Sequence, residues 1–168
     1  MPVYLFTFHA YRSWNADNPR GFVREGEGLQ PSNCRLAEYY SQRADQAPVL
    51  FEPFHQKVLI WIAYDACMRR GWRPHFVATE PTHIHALVSW RSSEPWRDVR
   101  RRIKTLASLM LGKKSGLSGR KWFSRKGSRK QVCDREHFNY LVDKYLPGHG
   151  GLKWREGEPA PVEPRLGG

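Results

Sequence analysis

The sequence predicts an α+β fold: a ferredoxin-like βαββαβ antiparallel sheet followed by an extra C-terminal helix. Three observations lead there. Apolar patterns along the chain run strand, helix, strand, strand, helix, strand, then a further helix. Thr82 to Trp90 alternates with period two, setting Ile84, Ala86, Val88 and Trp90 on one side and His83, His85, Leu87 and Ser89 on the other. Trp96, Val99, Ile103, Leu106 and Met110 step by three and four, the signature of an amphipathic helix.

Each element follows from local chemistry. Val3 to Tyr11 is β-branched and aromatic with apolar residues on both faces, as in a central strand. His9, near its end, either lines the site face or packs in the core. Ser13 to Ser32 is a long polar loop in which Trp14, Arg20 and Phe22 would either clamp bases or serve as anchors. Cys34 to Ala47 makes a short helix before Pro48. Pro53 to Arg70 is a helix with Pro53 in its first turn, a stripe of Phe54, Val58, Ile62 and Ala66, and Gly71 as its stop. Arg73 to Thr79 is a strand that turns at Glu80-Pro81 into the His-x-His strand, forming a hairpin. Lys113 to Arg120 is a linker. Lys121–Arg125 and Arg129–Val132 read as strand arms around a Lys126-Gly127-Ser128 turn. Asp134 caps a last helix from Arg135 to about Leu146, stopped by Pro147-Gly148. Residues 1–154 thus form a single domain. Residues 155–168, rich in Pro and Gly and poor in apolar side chains, form a tail expected to be disordered.

The net charge is +12, and its placement is uneven. Between Arg91 and Lys130 stand 14 Lys and Arg against two acids, an excess equal to that of the whole chain. A localised basic surface suits a polyanion, with nucleic acid the usual one. Arg97, Arg100, Arg101 and Lys104 on the helix, and Lys121, Arg125, Lys126, Arg129 and Lys130 on the strand arms, are the candidate phosphate contacts. Trp122 and Phe123 are further candidates to stack bases.

The three cysteines are far apart and form no metal or disulfide pattern, which suits a reducing compartment. No signal peptide is legible at the start, and the longest apolar patch, Val58 to Ala63, is too short to span a bilayer. The expectation is a soluble cytoplasmic, nucleoid-associated protein with no membrane partner.

His83 and His85 project from the same side of one strand, so one divalent cation can be gripped by both. On the last helix, Phe138, Leu141, Val142 and Tyr145 share an apolar face, which assigns Tyr145 to the core. Glu136, Tyr140 and Lys144 lie on another face, which makes Tyr140 the available tyrosine.

His83-Ile84-His85, the basic middle of the chain and Tyr140 on a late helix together resemble the HUH endonucleases. The likeness is to single-tyrosine insertion-sequence transposases and REP-associated tyrosine transposases. Leu5-Phe-Thr-Phe-His-Ala-Tyr-Arg-Ser-Trp and Asp17…Arg20-Gly-Phe-Val resemble their first strand and loop. The resemblance implies an enzyme that cleaves and rejoins single-stranded DNA, often folded as a hairpin, acting as monomer or homodimer. It implies Mg²⁺ or Mn²⁺ on His83 and His85, with Tyr140 attacking phosphorus to give a 5′-phosphotyrosine. The chain departs from the family pattern one turn after Tyr140. The family usually places a metal ligand there, and this chain has Lys144, which cannot ligate a metal while protonated. Either Glu136, Asp143 or water completes the site, or Lys144 takes a catalytic role at the phosphate or phenolate. The alternative is a catalytically degenerate or non-catalytic nucleic-acid-binding module on the same sheet.

Overall fold

The structure, a computed structural model, describes residues 1–165 except Trp14, Arg20, Glu25, Gly26 and Lys126. The contacts expected of Trp14, Arg20 and Lys126 lie outside the described residues.

The chain folds as β1 (Val3–His9), β2 (Phe22–Arg24), β3 (Gly28–Gln30), α1 (Cys34–Gln42), α2 (Pro53–Arg69), β4 (Arg73–Glu80), β5 (His83–Ser89), α3 (Trp96–Ser115), β6 (Ser128–Gln131) and α4 (Arg135–Tyr140). A π-helical turn (Leu141–Tyr145) prolongs α4, and β7 (Lys153–Arg155) closes the order. The main sheet is antiparallel with order β6-β1-β5-β4-β7. Its first four strands are the expected ferredoxin-like set, with β7 added at the β4 edge. The β2–β3 hairpin lies inside the stretch predicted to be a loop.

The sheet is covered on both faces, and the alternation along β5 decides what covers each. Ile84, Ala86, Val88 and Trp90 join Tyr4, Phe6 and Phe8 of β1 in the larger core, beneath α2 and α3. Tyr4, Phe6 and Trp90 stack there with ring centroids 5.5–6.3 Å apart. Fully burying such side chains contributes about 1.5–3 kcal/mol each. On the opposite face Leu5, Phe76 and Leu87 meet Leu141, Val142 and Leu146 of the last helix in a smaller core. His83 and His85 lie on this second face.

The basic segment after α3 differs from its expectation. Lys121–Arg125 and Arg129–Val132 do not pair with each other as a hairpin. Both run along the free edge of β1: Phe123 bridges Ala10, and β6 pairs with Tyr4 to Thr7. Gly127 makes this course possible, because a Cβ there would stand 2.3 Å from the Thr7 carbonyl oxygen. Trp122 and Phe123 are buried, which removes them as base-stacking platforms.

Arg155 completes β7 instead of opening a tail, and residues 156–165 carry no helix or strand. They are nonetheless tied down. Glu156 pairs with Arg73 and His75, Trp154 Nε1–H donates to the Pro159 carbonyl at 3.0 Å, and Glu163 pairs with Lys114 at 2.6 Å. No helix among the described residues is long and apolar enough to cross a membrane.

Candidate metal centre and basic surface

The antiparallel register builds the site from the sheet outward. β1 places Thr7 opposite His85 and His9 opposite His83. β4 places Glu80 opposite His83. Opposed residues in an antiparallel pair project to the same face, so these five side chains share one surface. His9 stands 5.8 Å from His83, ring centre to ring centre.

A third histidine comes from the end of the chain. His83, His85 and His149 each offer a ring nitrogen, all within 4.8 Å of one another. The opposite ring nitrogens are engaged. His85 Nδ1 pairs with the Thr7 hydroxyl at 2.8 Å, and His83 Nδ1 with the Thr82 hydroxyl at 2.9 Å. His149 Nδ1–H donates to Glu80 at 2.9 Å, and the same carboxylate oxygen accepts the Gly150 amide at 3.2 Å. Such a carboxylate–histidine pair fixes the tautomer and presents Nε2 as a ligand. His85 Nε2 and His149 Nε2 are buried and have no hydrogen-bond partner among the described residues. Buried polar atoms are rarely left unpaired. Here the orphans converge on the same space, which is what a metal site requires.

Burial holds both strand histidines neutral. It pushes His83 down to about 4, with Glu80 opposing and His9 and His149 adding to the drop. It pushes His85 down to about 3, with His83, His149 and His9 adding to it. Both can therefore ligate at neutral pH without first losing a proton. Burial disfavours the charged form of Glu80, but the bonds from His149 and Gly150 and the charges of His83 and His149 together keep the carboxyl below its usual range.

These shifts set a stability prediction. The folded values lie below the unfolded histidine value of 6.5. Their stabilising contribution is complete above that value and is lost progressively as pH falls from it, down to about 4 for His83 and about 3 for His85. The metal-free chain is expected to melt at a lower temperature at pH 4.5 than at pH 7.5, and His85→Gln to flatten that slope. Thermal denaturation in chelator checks both.

The last helix departs from the continuous α-helix that assigned Tyr145 to the core. Within Leu141–Tyr145 the bonding is i to i+5, as in the Leu146 amide to Leu141 carbonyl bond at 2.9 Å. One extra residue in a turn rotates everything after it by about 100° relative to a continuous α-helix. Leu146 therefore takes the core position and is fully buried, while Tyr145 turns out of the core and is 38% exposed. The Tyr145 ring lies 5.6 Å from that of His85 and 5.1 Å from that of His149. Tyr140 is 55% exposed, as expected, but its ring neighbour is Tyr145 at 6.4 Å, one layer further out than the histidines. Partial burial, Tyr140 and Glu80 together raise the Tyr145 phenol above its ordinary value.

The expected third ligands are also placed elsewhere. Glu136 is exposed on α4, and Asp143 pairs with Arg155 at 2.9 Å. Lys144 is exposed, and its ammonium makes no ion pair among the described residues. His149, a third candidate ligand, was within reach of spacing. It follows Tyr145 by four positions, as Lys144 follows Tyr140, and histidine ligates where lysine does not.

The loop that carries His149 is fastened through the sheet edge. Gln56, buried on α2, accepts from the Thr79 hydroxyl at 3.0 Å and the Leu152 amide at 3.1 Å, and donates to the Phe51 carbonyl at 2.9 Å. The Thr79 amide and hydroxyl both donate to the Leu152 carbonyl. Gly151 passes so close that a Cβ would lie 1.9 Å from the Thr79 carbonyl oxygen.

The basic surface lies on the other side of the sheet. Trp96, Arg97, Arg100, Arg101, Lys104, Thr105 and Arg125 line a groove of about 380 Å³. Two of its cations also have structural work. Arg100 donates to the Gly127 carbonyl at 2.9 Å, and Lys104 to the Ser124 and Arg125 carbonyls. Arg101 is paired with Asp98 and Lys121 with Asp45. Arg97 and Arg129 sit over Trp96 at 4.7 and 3.9 Å. Lys130 is opposite Leu5 and so stands on the histidine face. Burial, with Arg129 beside it, lowers the Arg100 value; burial, with Arg100 beside it, lowers that of Lys104.

No family model matches the chain, and no curated protein matches it. Solved structures similar to the chain include two described as transposases. A REP-associated tyrosine transposase bound to a REP hairpin aligns with a TM-score of 0.47 at 14% identity, over 86% of this chain. The chain spans 64% of the length of that protein. A protein of Deinococcus radiodurans R1, provisionally described as a transposase, aligns with a TM-score of 0.39 at 12% identity, over 89% of this chain and 92% of that one. At this distance the likeness carries no functional argument, and the function rests on the site.

Proposed function

We propose that the chain is a metal-dependent single-stranded DNA nuclease and strand transferase with Tyr145 as its nucleophile. The observation that supports it most is the half-exposed Tyr145 ring set against His85 and His149 of a three-histidine cluster. A structural tyrosine has no need of three convergent imidazoles, two with orphaned nitrogens.

In this reading the Tyr145 oxygen forms a bond to the scissile phosphorus as the bond from phosphorus to the 3′-oxygen breaks. The phenol proton passes to solvent, and the departing 3′-oxygen takes one up. The products are a 5′-phosphotyrosine and a free 3′-hydroxyl. The covalent link conserves the phosphodiester's energy, so another 3′-hydroxyl can attack it and rejoin strands without a nucleotide cofactor. A divalent cation held by His83, His85 and His149 would supply positive charge to the phosphate oxygens and ease ionisation of the phenol. Glu80, Thr7 and Thr82 hold the three rings in orientation. Tyr145 and the histidines belong to the same chain, so this site needs no partner subunit to assemble.

The basic groove and Lys130 would hold the DNA backbone. Arg97 is the cleanest probe, because it is exposed and makes no bond to a carbonyl among the described residues. Arg97→Ala is expected to reduce the salt dependence of single-strand binding by about 0.7 in the slope of log affinity against log salt. Anisotropy titrations across salt concentrations measure it.

The test of function is incubation with a labelled single-stranded DNA hairpin and Mn²⁺, followed by a denaturing gel. A covalent protein–DNA band that chelator abolishes is expected. Binding without any such band, across hairpins and metals, would leave only a nucleic-acid-binding module.

A further inference from the structure

Helix α1 stands apart from both cores. None of its residues is buried, and neither core draws a side chain from it. Its inner side is formed by Leu36 and Ala37, which are half-buried. Its outer side carries Tyr39 and Tyr40, 51% and 53% exposed. Their rings meet edge to face with centres 5.8 Å apart, and the Arg43 guanidinium lies 4.0 Å from the centre of the Tyr39 ring. Arg35, also exposed, precedes Tyr39 by four positions and so shares its side of the helix. Two tyrosines left this far in water add little to the fold. The helix is nonetheless held in place. Asn33 caps it by accepting the Leu36 amide at 2.9 Å. Arg12 donates to the Ser41 hydroxyl at 2.9 Å and to the Gln46 carbonyl at 3.4 Å. The next residue, Ser13, donates its hydroxyl to the Thr82 carbonyl at 3.0 Å, beside His83. These links fix α1 at the end of the sheet where His9 and His83 stand opposite each other.

An exposed aromatic pair flanked by guanidiniums fits a partner that offers flat π faces and negative charge together. Unpaired nucleotides offer both, and every base can stack whatever its identity. The apolar groove of a protein partner is a poorer match, because the rest of the outward side is polar: Arg35, Glu38, Ser41, Gln42 and Arg43. We infer that Tyr39 and Tyr40 are a stacking platform for unpaired bases of single-stranded DNA, with Arg35 and Arg43 as cations for its phosphates. The platform supplies the base contacts that burial denies to Trp122 and Phe123. It rests on the reading of the chain as a single-strand binder, and is independent of whether the chain cleaves what it binds.

The test is anisotropy of a short labelled oligothymidylate with the full chain in chelator. The double variant Tyr39→Leu with Tyr40→Leu is expected to bind roughly 10- to 100-fold more weakly. Tyr39→Phe with Tyr40→Phe keeps both rings and is expected to stay within about twofold of wild type. The slope of log affinity against log salt should be unchanged in the leucine variant, since stacking releases no counterions, and should fall by about 0.7 in Arg43→Gln. A fluorescent adenine analogue placed in the strand is expected to dim on binding wild type and to stay bright with the leucine variant. A fully paired duplex, whose bases are covered, should bind both equally. The substitutions lie on the open side of a helix with no buried residue, and an unchanged melting temperature confirms that folding is intact. Equal single-strand affinity and equal dimming in wild type and leucine variant would overturn the inference and leave the proposed function standing. So would a phenylalanine variant as weak as the leucine one. The expected losses with no covalent band under any condition would keep the platform and remove the nuclease. A chain that binds no single strand would remove both.

Discussion

Tyr145→Phe is expected to reduce the covalent DNA–protein band to background, a loss of at least about 10³-fold. Tyr140→Phe is expected to leave it within a few-fold of wild type. The two substitutions are chemically identical and lie five residues apart, so the contrast isolates position. Tyr145 has both His85 and His149 as ring neighbours, whereas the ring neighbour of Tyr140 among the described residues is Tyr145. Each variant removes one hydroxyl from a side chain that is at least one-third exposed, so neither should perturb folding. DNA binding by both should match wild type in the same anisotropy assay. A band that persists in Tyr145→Phe and vanishes in Tyr140→Phe would return the nucleophile to the outer tyrosine, and with it a role for Lys144.

Gly151→Ala is expected to be the costliest single-methyl addition near the site. The new Cβ would meet the Thr79 backbone oxygen at 1.9 Å, and Gln56 Oε1 at 2.6 Å. Neither can retreat freely. Thr79 belongs to β4, and the Gln56 amide is held by bonds at both ends. The chain must instead move away from the β4 edge, breaking the Thr79–Leu152 bonds and carrying His149 with it. Overpacking of this kind costs about 1–3 kcal/mol, which in a domain of this size lowers the melting temperature by roughly 3–10 °C. Metal affinity should fall further than stability alone accounts for, because His149 is two residues away. Calorimetry of Co²⁺ binding well below the melting temperature separates the two effects. An unchanged Co²⁺ affinity would show that the edge clamp does not position the third ligand.

The sheet and the two strand histidines were legible because β structure writes its geometry into the sequence with period two. Ile84, Ala86 and Val88 against His83, His85 and Leu87 state which residues share a face, and the two cores sort along that division. Helix α3 was legible for the corresponding reason at period 3.6. The tyrosine was not. Counting Phe138, Leu141, Val142 and Tyr145 onto one face assumes an unbroken α-helix, and nothing in the apolar pattern announces a π turn. Once the turn is present, Leu146 supplies the same apolar contact one residue later, so hydrophobicity alone does not distinguish the two phasings. The candidate third ligand His149 was lost with it, since the spacing was counted from Tyr140 and not from Tyr145. The segment around β6 was legible as extended chain, but its partner was not. Ser128 to Gln131 is exposed and polar throughout, and such a strand carries no record of which edge it joins.

His85 sits in the middle of the sheet, and His149 lies beyond the last helix, on the loop leading to β7. A shared ion would therefore act as a removable cross-link closing a long loop, in a chain whose three cysteines are all free. Like a disulfide, such a link restricts the unfolded chain most when the sequence interval it spans is large. Unlike a disulfide, it needs no oxidising surroundings, and its strength follows the supply of the metal. Occupancy would then govern how firmly the end of the chain is fastened as well as whether the site is charged. A cell poor in the right ion would hold this protein in a looser form, more open to proteases at its C-terminal third.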